Sequence, residues 1–310
     1  MIEERIIIGE GTKYPLNGIL TLPDEINDKV PAVVMVHGSG ASNMDEKVGK
    51  LTPFKDISEG LAKRGIASIR YDKRSFTHGF KMIREKDVTV KVETIEDAVM
   101  AAELLQADSR IDTDNIYIIG HSMGAMLAPR IDAEGGAFKG LILMAGSPRK
   151  LEEIMMDQNQ MVLAQVKGLT GAIVKKQVAK LSKLFDGLYE MTDEEAKSKK
   201  VGGGTTLYYF KEMGEHPASM YLEKLEKPIL ILQGEKDFQA TVEKDFEGYK
   251  QLLGEKENVT FQLYEGLNHA FVPSVYGNIM KAKQEYNIEQ RVSEKVIIDI
   301  ASWIHEQQEV

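Results

Sequence analysis

The sequence predicts an α/β fold, a mostly parallel eight-stranded sheet with helices on both faces. Three observations predict it. Short β-branched runs alternate with stretches of helical periodicity, the rhythm of successive βα units. The central runs are apolar without interruption, as in Ala32-Val33-Val34-Met35-Val36, which suits strands buried on both faces of a parallel sheet. The rhythm breaks over residues 147–227, where only helical patterns occur.

Taken in order, residues 5–8 and 18–22 read as the first two strands, with Pro23-Asp24 closing the second. Residues 32–36 are the third. Phe54, Ile57 and Leu61 follow at helical spacing, and Gly65 suits the end of that helix. Residues 67–71 are the fourth strand, and Ile95, Ala98, Val99, Ala102 and Leu105 share one helix face. The fifth strand, 116–119, runs straight into Gly120-His121-Ser122-Met123-Gly124 and a helical pattern over 125–131 that Pro129 should end or kink early. Residues 141–144, 229–232 and 260–264 are further strands, and Val292, Val296, Ile300 and Ile304 form the stripe of a closing helix.

Inside 147–227, Val174, Val178, Leu181, Phe185 and Leu188 step by four and three, and Thr192 with Glu195 has capping-box spacing. Gly202-Gly203-Gly204 then breaks helix ahead of Tyr208, Tyr209 and Phe210. The chain of 310 residues therefore divides into one core, 1–146 and 228–310, interrupted after strand six by a helical cap at 147–227.

Composition narrows the chemistry. There is no cysteine, so no disulfide framework, no cysteine-ligated metal and no thiol nucleophile. A net charge of −9 argues against a nucleic-acid footprint. No apolar run approaches the length of a membrane span. The opening Met-Ile-Glu-Glu-Arg carries acids where a signal peptide would place a basic region, so a cytoplasmic protein is expected.

Gly120-His121-Ser122-Met123-Gly124 is G-x-S-x-G between a strand and a helix. A serine in such a turn takes strained backbone angles and is lifted to the carboxyl edge of the sheet, and the flanking glycines let strand and helix approach. The Met123 N–H then sits at a helix N-terminus, aimed at a developing oxyanion. A serine hydroxyl needs a base, and the base an orienting acid. Of the six histidines, His269 lies in the loop after the last strand, third in the chain order Ser…Asp…His. Asp237 follows the preceding strand, with Glu235 as its competitor. The loop His37-Gly38-Ser39-Gly40 offers the second oxyanion donor, with the Ser39 N–H as the candidate and Gly40 as the alternative. His37, Gly38, Gly40 and His121 are candidate substrate contacts, and Tyr208, Tyr209 and Phe210 could line an acyl pocket or simply form the core of the cap. Arg70, Asp72, Lys73 and Arg74, with Asp45 and Glu46 nearby, read either as a structural ion-pair network or as a site for an anionic acyl or CoA group.

The elbow, the His-Gly-Ser-Gly loop, the strand-Gly-x-x-Asp and the Asn-His loop resemble, in this order, the α/β-hydrolase superfamily. His37 to Glu46 and the downstream Arg70-Tyr71-Asp72-Lys73-Arg74-Ser75 look like bacterial serine esterases related to the dienelactone-hydrolase and BAAT-like groups, which include cinnamoyl and acetyl esterases with a helical cap. The likeness covers residues 30–146 and 225–304, and the insertion matches in position alone. It implies a triad of Ser122, Asp237 and His269, with Ser39 and Met123 as oxyanion donors. Two departures count. Gly124 is followed by Ala125, where prolyl-oligopeptidase relatives carry Gly-Gly, and the thiol of the dienelactone hydrolases is absent. The 310 residues hold no propeller pattern, so a peptidase of the prolyl-oligopeptidase kind is not expected. The resemblance therefore implies a serine carboxylesterase acting on small acyl or aryl esters, with no metal and no organic cofactor. Its partner would be a small-molecule ester, with neither nucleic acid nor membrane, and a homodimer is allowed. An acyl-CoA thioesterase or acyltransferase is the alternative with the same machinery. A non-catalytic binding protein is the alternative of another class.

Overall fold

The computed structural model describes residues 1–202 and 204–308. It opens with β1 (Ile2–Ile8), β2 (Leu16–Leu22) and β3 (Val30–Val36). Then come α1 (Pro53–Ala62), β4 (Ala67–Tyr71), α2 (Arg74–Met82), α3 (Glu96–Ala107), β5 (Ile111–His121), α4 (Met123–Ile131) and β6 (Gly140–Met144). After β6 lie α5 (Leu151–Gln165), α6 (Gly168–Phe185), α7 (Asp193–Ser198), β7 (Lys200–Gly202), β8 (Thr205–Thr206), α8 (Leu207–Glu215) and α9 (Ala218–Leu222). The sheet resumes with β9 (Ile229–Gly234), followed by α10 (Glu247–Leu253), β10 (Val259–Tyr264), α11 (Ala282–Tyr286) and α12 (Glu294–Gln308).

One 8-stranded sheet runs in the order β1-β2-β4-β3-β5-β6-β9-β10. β2 pairs antiparallel with β1 and β4, and every later pairing is parallel. The strand alternation explains the uninterrupted apolar runs. Val34 and Val36 face a core shared with α3 and α4, whereas Val33 and Met35 face a second core shared with α1 and α12. From β3 the chain crosses to β4 on one side, then returns past β3 to β5 on the other. The crevice at the carboxyl ends of β3 and β5 is thus a topological switch point, where open α/β sheets bind ligands.

Two local expectations change. The stretch between β6 and β9 is not wholly helical, because β7 and β8 form a small antiparallel hairpin. Gly204 takes φ +94° there, a left-handed conformation open to glycine without a Cβ clash, and so leads into β8 rather than simply breaking a helix. Gly203 itself lies outside the described residues. Pro129 does not end α4, which runs on to Ile131, with the Asp132 N–H reaching the Ala128 and Pro129 carbonyls. A proline removes only its own donor, and the helix closes within one turn in a wider turn over residues 132–136. The capping box at Thr192 and Glu195 forms as its spacing predicts.

Candidate active site

Ser122 ends β5 and caps α4 with φ 53° and ψ −117°, a conformation that costs a non-glycine residue free energy. Its N–H donates to the Met144 carbonyl at 2.9 Å, so strand pairing with β6 extends into the turn and holds it. Two glycines make the turn feasible. A Cβ on Gly124 would overlap the Val36 carbonyl, and one on Gly120 would overlap the Gly124 carbonyl.

The Ser122 side chain faces a cavity of about 510 Å³ at the switch point, and His269 lines the same cavity. His269 Nδ1 lies 2.7 Å from Asp237 Oδ2. With a carboxylate there, Nδ1 carries the proton and Nε2 keeps its lone pair. Asp237 is buried and fully engaged. Its Oδ2 also accepts from Gln233 Nε2 at 3.0 Å, and its Oδ1 accepts the Gln239 and Ala240 N–H groups at 2.7 and 3.0 Å. Glu235, the competing acid, turns away and accepts the Gly266 N–H at 3.0 Å, bracing the base of the histidine loop. Among the described residues Ser122 Oγ has no hydrogen bond to His269. Such bonds often tighten only once substrate is in place.

Ser39, Gly40 and Met123 line the cavity too. Among the described residues the Ser39 and Met123 N–H groups have no acceptor within the protein, so both are available to a ligand. Tyr209 and Phe210, at the start of α8, complete one wall. Four other predicted contacts lie outside the cavity wall. His37 is packed against Phe54 and Tyr71 behind the loop, its Nε2 on the Asn43 carbonyl at 3.0 Å. Burial pushes its pKa down to about 4, so it is neutral. Gly38 has both backbone groups occupied, by Glu46 Oε1 and by Lys73 Nζ. His121 sits beneath the site, its Nε2 on the His269 carbonyl at 2.9 Å and its Nδ1 3.0 Å from Glu46 Oε2. Tyr208 faces outward on α8 under the Lys197 ammonium.

The basic cluster after β4 is an internal network. Arg70 is bound by Asp45, Glu3, Thr21 and Ser58, and Arg74 by Asp97 and Glu96. Neither arginine faces the cavity. Sequence reasoning missed three sets of residues. Gln233 orients Asp237. Asn268 and Glu285 are buried and joined at 3.0 Å, and Glu285 also accepts the Val275 and Tyr276 N–H groups, so the pair anchors the His269 loop. Met82 and Ile83 at the end of α2, with Ile154 and Met155 of α5, add apolar side chains to the cavity lining. The Asn268 beside His269 was the only local signal for any of these.

A family model for the serine aminopeptidase S33 hydrolases matches residues 28–273. The chain belongs to the serine aminopeptidase S33 family. Esterase EstD of Thermotoga maritima is 34% identical over 289 residues, which is 93% of this chain and 65% of that protein. The chain therefore spans about two-thirds of the length of that relative. Est1E from Butyrivibrio proteoclasticus has the same fold at TM-score 0.59 and 15% identity, with 99% of each chain covered. A proline iminopeptidase from Mycobacterium smegmatis has it at TM-score 0.59 and 14% identity, with 98% of each chain covered. The expected α/β-hydrolase fold is thus the fold of this S33 chain.

Proposed function

We propose that this protein is a serine carboxylic ester hydrolase. One observation carries the reading. A strained serine, a histidine backed by a buried aspartate, and two unpaired backbone N–H groups converge on one cavity. Ser122 Oγ attacks the ester carbonyl while His269 Nε2 takes its proton. Asp237 holds the ring and stabilises the imidazolium. The Ser39 and Met123 N–H groups bind the oxyanion of the tetrahedral intermediate. His269 then protonates the departing alcohol, leaving an acyl-serine. A water attacks that acyl group, giving its proton to His269, and the acid departs as the proton returns to Ser122. No step calls on a metal or an organic cofactor.

Residues 147–227 serve as the cap in this reading. They supply Ile154, Met155, Tyr209 and Phe210 to the cavity, and the core adds Met82 and Ile83. No lysine or arginine stands among the cavity residues, which favours an uncharged acyl group over an acyl-CoA. The thioesterase reading loses its anion site as well, since Arg70 and Arg74 are occupied.

An aminopeptidase is the second reading, favoured by the family's own name and by the iminopeptidase of the same fold. It needs a carboxylate for the substrate ammonium. The two in the cavity wall are already engaged, Glu85 by Lys13 and Tyr14, and Glu93 by Tyr209. The test is a panel of p-nitrophenyl esters of graded acyl length, a hydroxycinnamate ester, an acyl-CoA and aminoacyl p-nitroanilides. The account expects turnover of uncharged esters well above the other classes. Preference for an aminoacyl anilide or for acyl-CoA would overturn it.

A further inference from the structure

The peptide between Gly38 and Ser39 is gripped by a buried ion that the chemistry above does not use. Lys73 Nζ donates to the Gly38 carbonyl at 2.8 Å. The ammonium is 2% exposed, stands behind the loop and does not line the cavity. Glu93 Oε2 lies 3.6 Å from it and accepts the Tyr209 hydroxyl at 2.6 Å. On the other side of Gly38, its N–H is held by Glu46 Oε1 at 2.8 Å. A buried ammonium is costly unless its surroundings use it. An anion subsite is not its use here, because its neighbours are a carbonyl and a carboxylate.

The Gly38 carbonyl and the Ser39 N–H are the two ends of one planar peptide group. We propose that Lys73 is a positioning residue of the oxyanion hole, holding and polarising the Gly38–Ser39 peptide so that the Ser39 N–H meets the developing oxyanion as a stronger, fixed donor. The inference rests on the Ser39 donor role proposed above. The physics is cooperative polarisation. A cation on the carbonyl oxygen draws density from the amide and leaves its N–H more positive. In a trans peptide that N–H points away from the lysine, and the cavity lies on that side. The benefit is larger for the full negative charge of the transition state than for the neutral ester carbonyl. It therefore acts on kcat and barely on KM. Glu93 balances the ammonium without reaching the peptide, and Tyr209 ties this balance to α8.

The test compares wild type with Lys73→Met and with the double variant Lys73→Met/Glu93→Gln. The double variant removes both buried charges together and so protects folding. Fluorophosphonate labelling of Ser122 in wild type comes first, since a failure there sinks the hydrolase reading and this inference with it, whereas the variants test this inference alone. With labelling in hand, both variants are expected to lose about 10- to 100-fold in kcat, short of the loss of a direct oxyanion donor. KM should stay within about threefold. The inhibition constant of an alkylboronic acid, whose adduct is a tetrahedral anion, should rise by the same factor as kcat falls. That of the neutral amide analogue of the substrate should not move. A purely structural role would shift the boronate and the amide alike. If the double variant folds and keeps its kcat, or if boronate and amide affinities fall together, Lys73 is structural and the proposal is wrong.

Discussion

His121 Nε2 lies 2.9 Å from the backbone carbonyl of His269, so the residue before Ser122 holds up the loop that carries His269. Its other nitrogen lies 3.0 Å from Glu46 Oε2, and Glu46 Oε1 accepts the Gly38 N–H at 2.8 Å. The pair thus joins the turn at Ser122, the histidine loop and the loop after β3. Burial alone would lower the His121 pKa, but the nearby charge of Glu46 outweighs it and leaves His121 raised from 6.5. Burial would likewise raise Glu46, but His121 leaves it lowered from 4.5.

The sign of the linkage follows. A raised histidine adds stability that is complete below pH 6.5 and is lost as pH climbs through its folded value. A lowered glutamate adds stability that is complete above pH 4.5 and is lost in stronger acid. Glu46→Gln should therefore cost most between those two values, about 1–3 kcal/mol, and less towards pH 9. Denaturant unfolding of both proteins across that range is the check. A gap that widens with pH would contradict the ion pair.

His37 should act in the opposite direction. It is neutral in the fold, with a pKa of about 4 against an ordinary 6.5, because burial penalises its charged form. Folding then loses stability as pH falls from 6.5 towards 4, in total about 3 kcal/mol. His37→Gln removes that titration. The stability advantage of wild type over this variant should shrink towards acid, and an advantage that grew there would show that His37 is protonated in the fold.

The two candidate acids separate cleanly. Asp237→Asn keeps the size of the side chain but presents an amide to His269 Nδ1 or forces the wrong tautomer. It should lower kcat by about 10³- to 10⁴-fold. Glu235→Gln keeps an oxygen that can accept the Gly266 N–H and does not reach His269, so it should change kcat by about twofold at most. Steady-state kinetics on one ester decides it, and the reverse pattern would transfer the role to Glu235.

How much of this could be read beforehand depends on distance along the chain. The eight strands and the elbow were legible because strand patterning and a Gly-x-Ser-x-Gly turn are local. That His269 and Asp237 would meet was legible because loops after successive strands meet at one sheet edge. His37 and His121 were misjudged as substrate contacts through a simpler oversight. Neighbouring residues at a strand end point to opposite faces, so a Ser122 facing the cavity sends His121 beneath it. Tyr208 fails for the matching helical reason, a turn of about 100° from Tyr209. Lys73 was read only as a member of the basic cluster, and Glu93 and the α2 wall carry no local signal, since their contacts reach to the loop after β3 and to α8.

The cavity wall offers a test of acyl choice. Met155 of α5 lines it. Met155→Trp would occupy the room of about two methylenes, each worth ~0.8 kcal/mol when buried. Relative to acetate, kcat/KM for an octanoate ester should drop about tenfold. Equal losses for both esters would place the acyl chain elsewhere.

The central claim is that Ser122 is a nucleophile activated by His269. The most direct measurement is covalent labelling by a fluorophosphonate probe, followed by mass spectrometry of the labelled peptide. The account predicts stoichiometric labelling of wild type at Ser122, none in Ser122→Ala, and labelling slowed about 10³-fold or more in His269→Ala. A wild-type protein that fails to label, or that labels no better than Ser122→Ala, would contradict it.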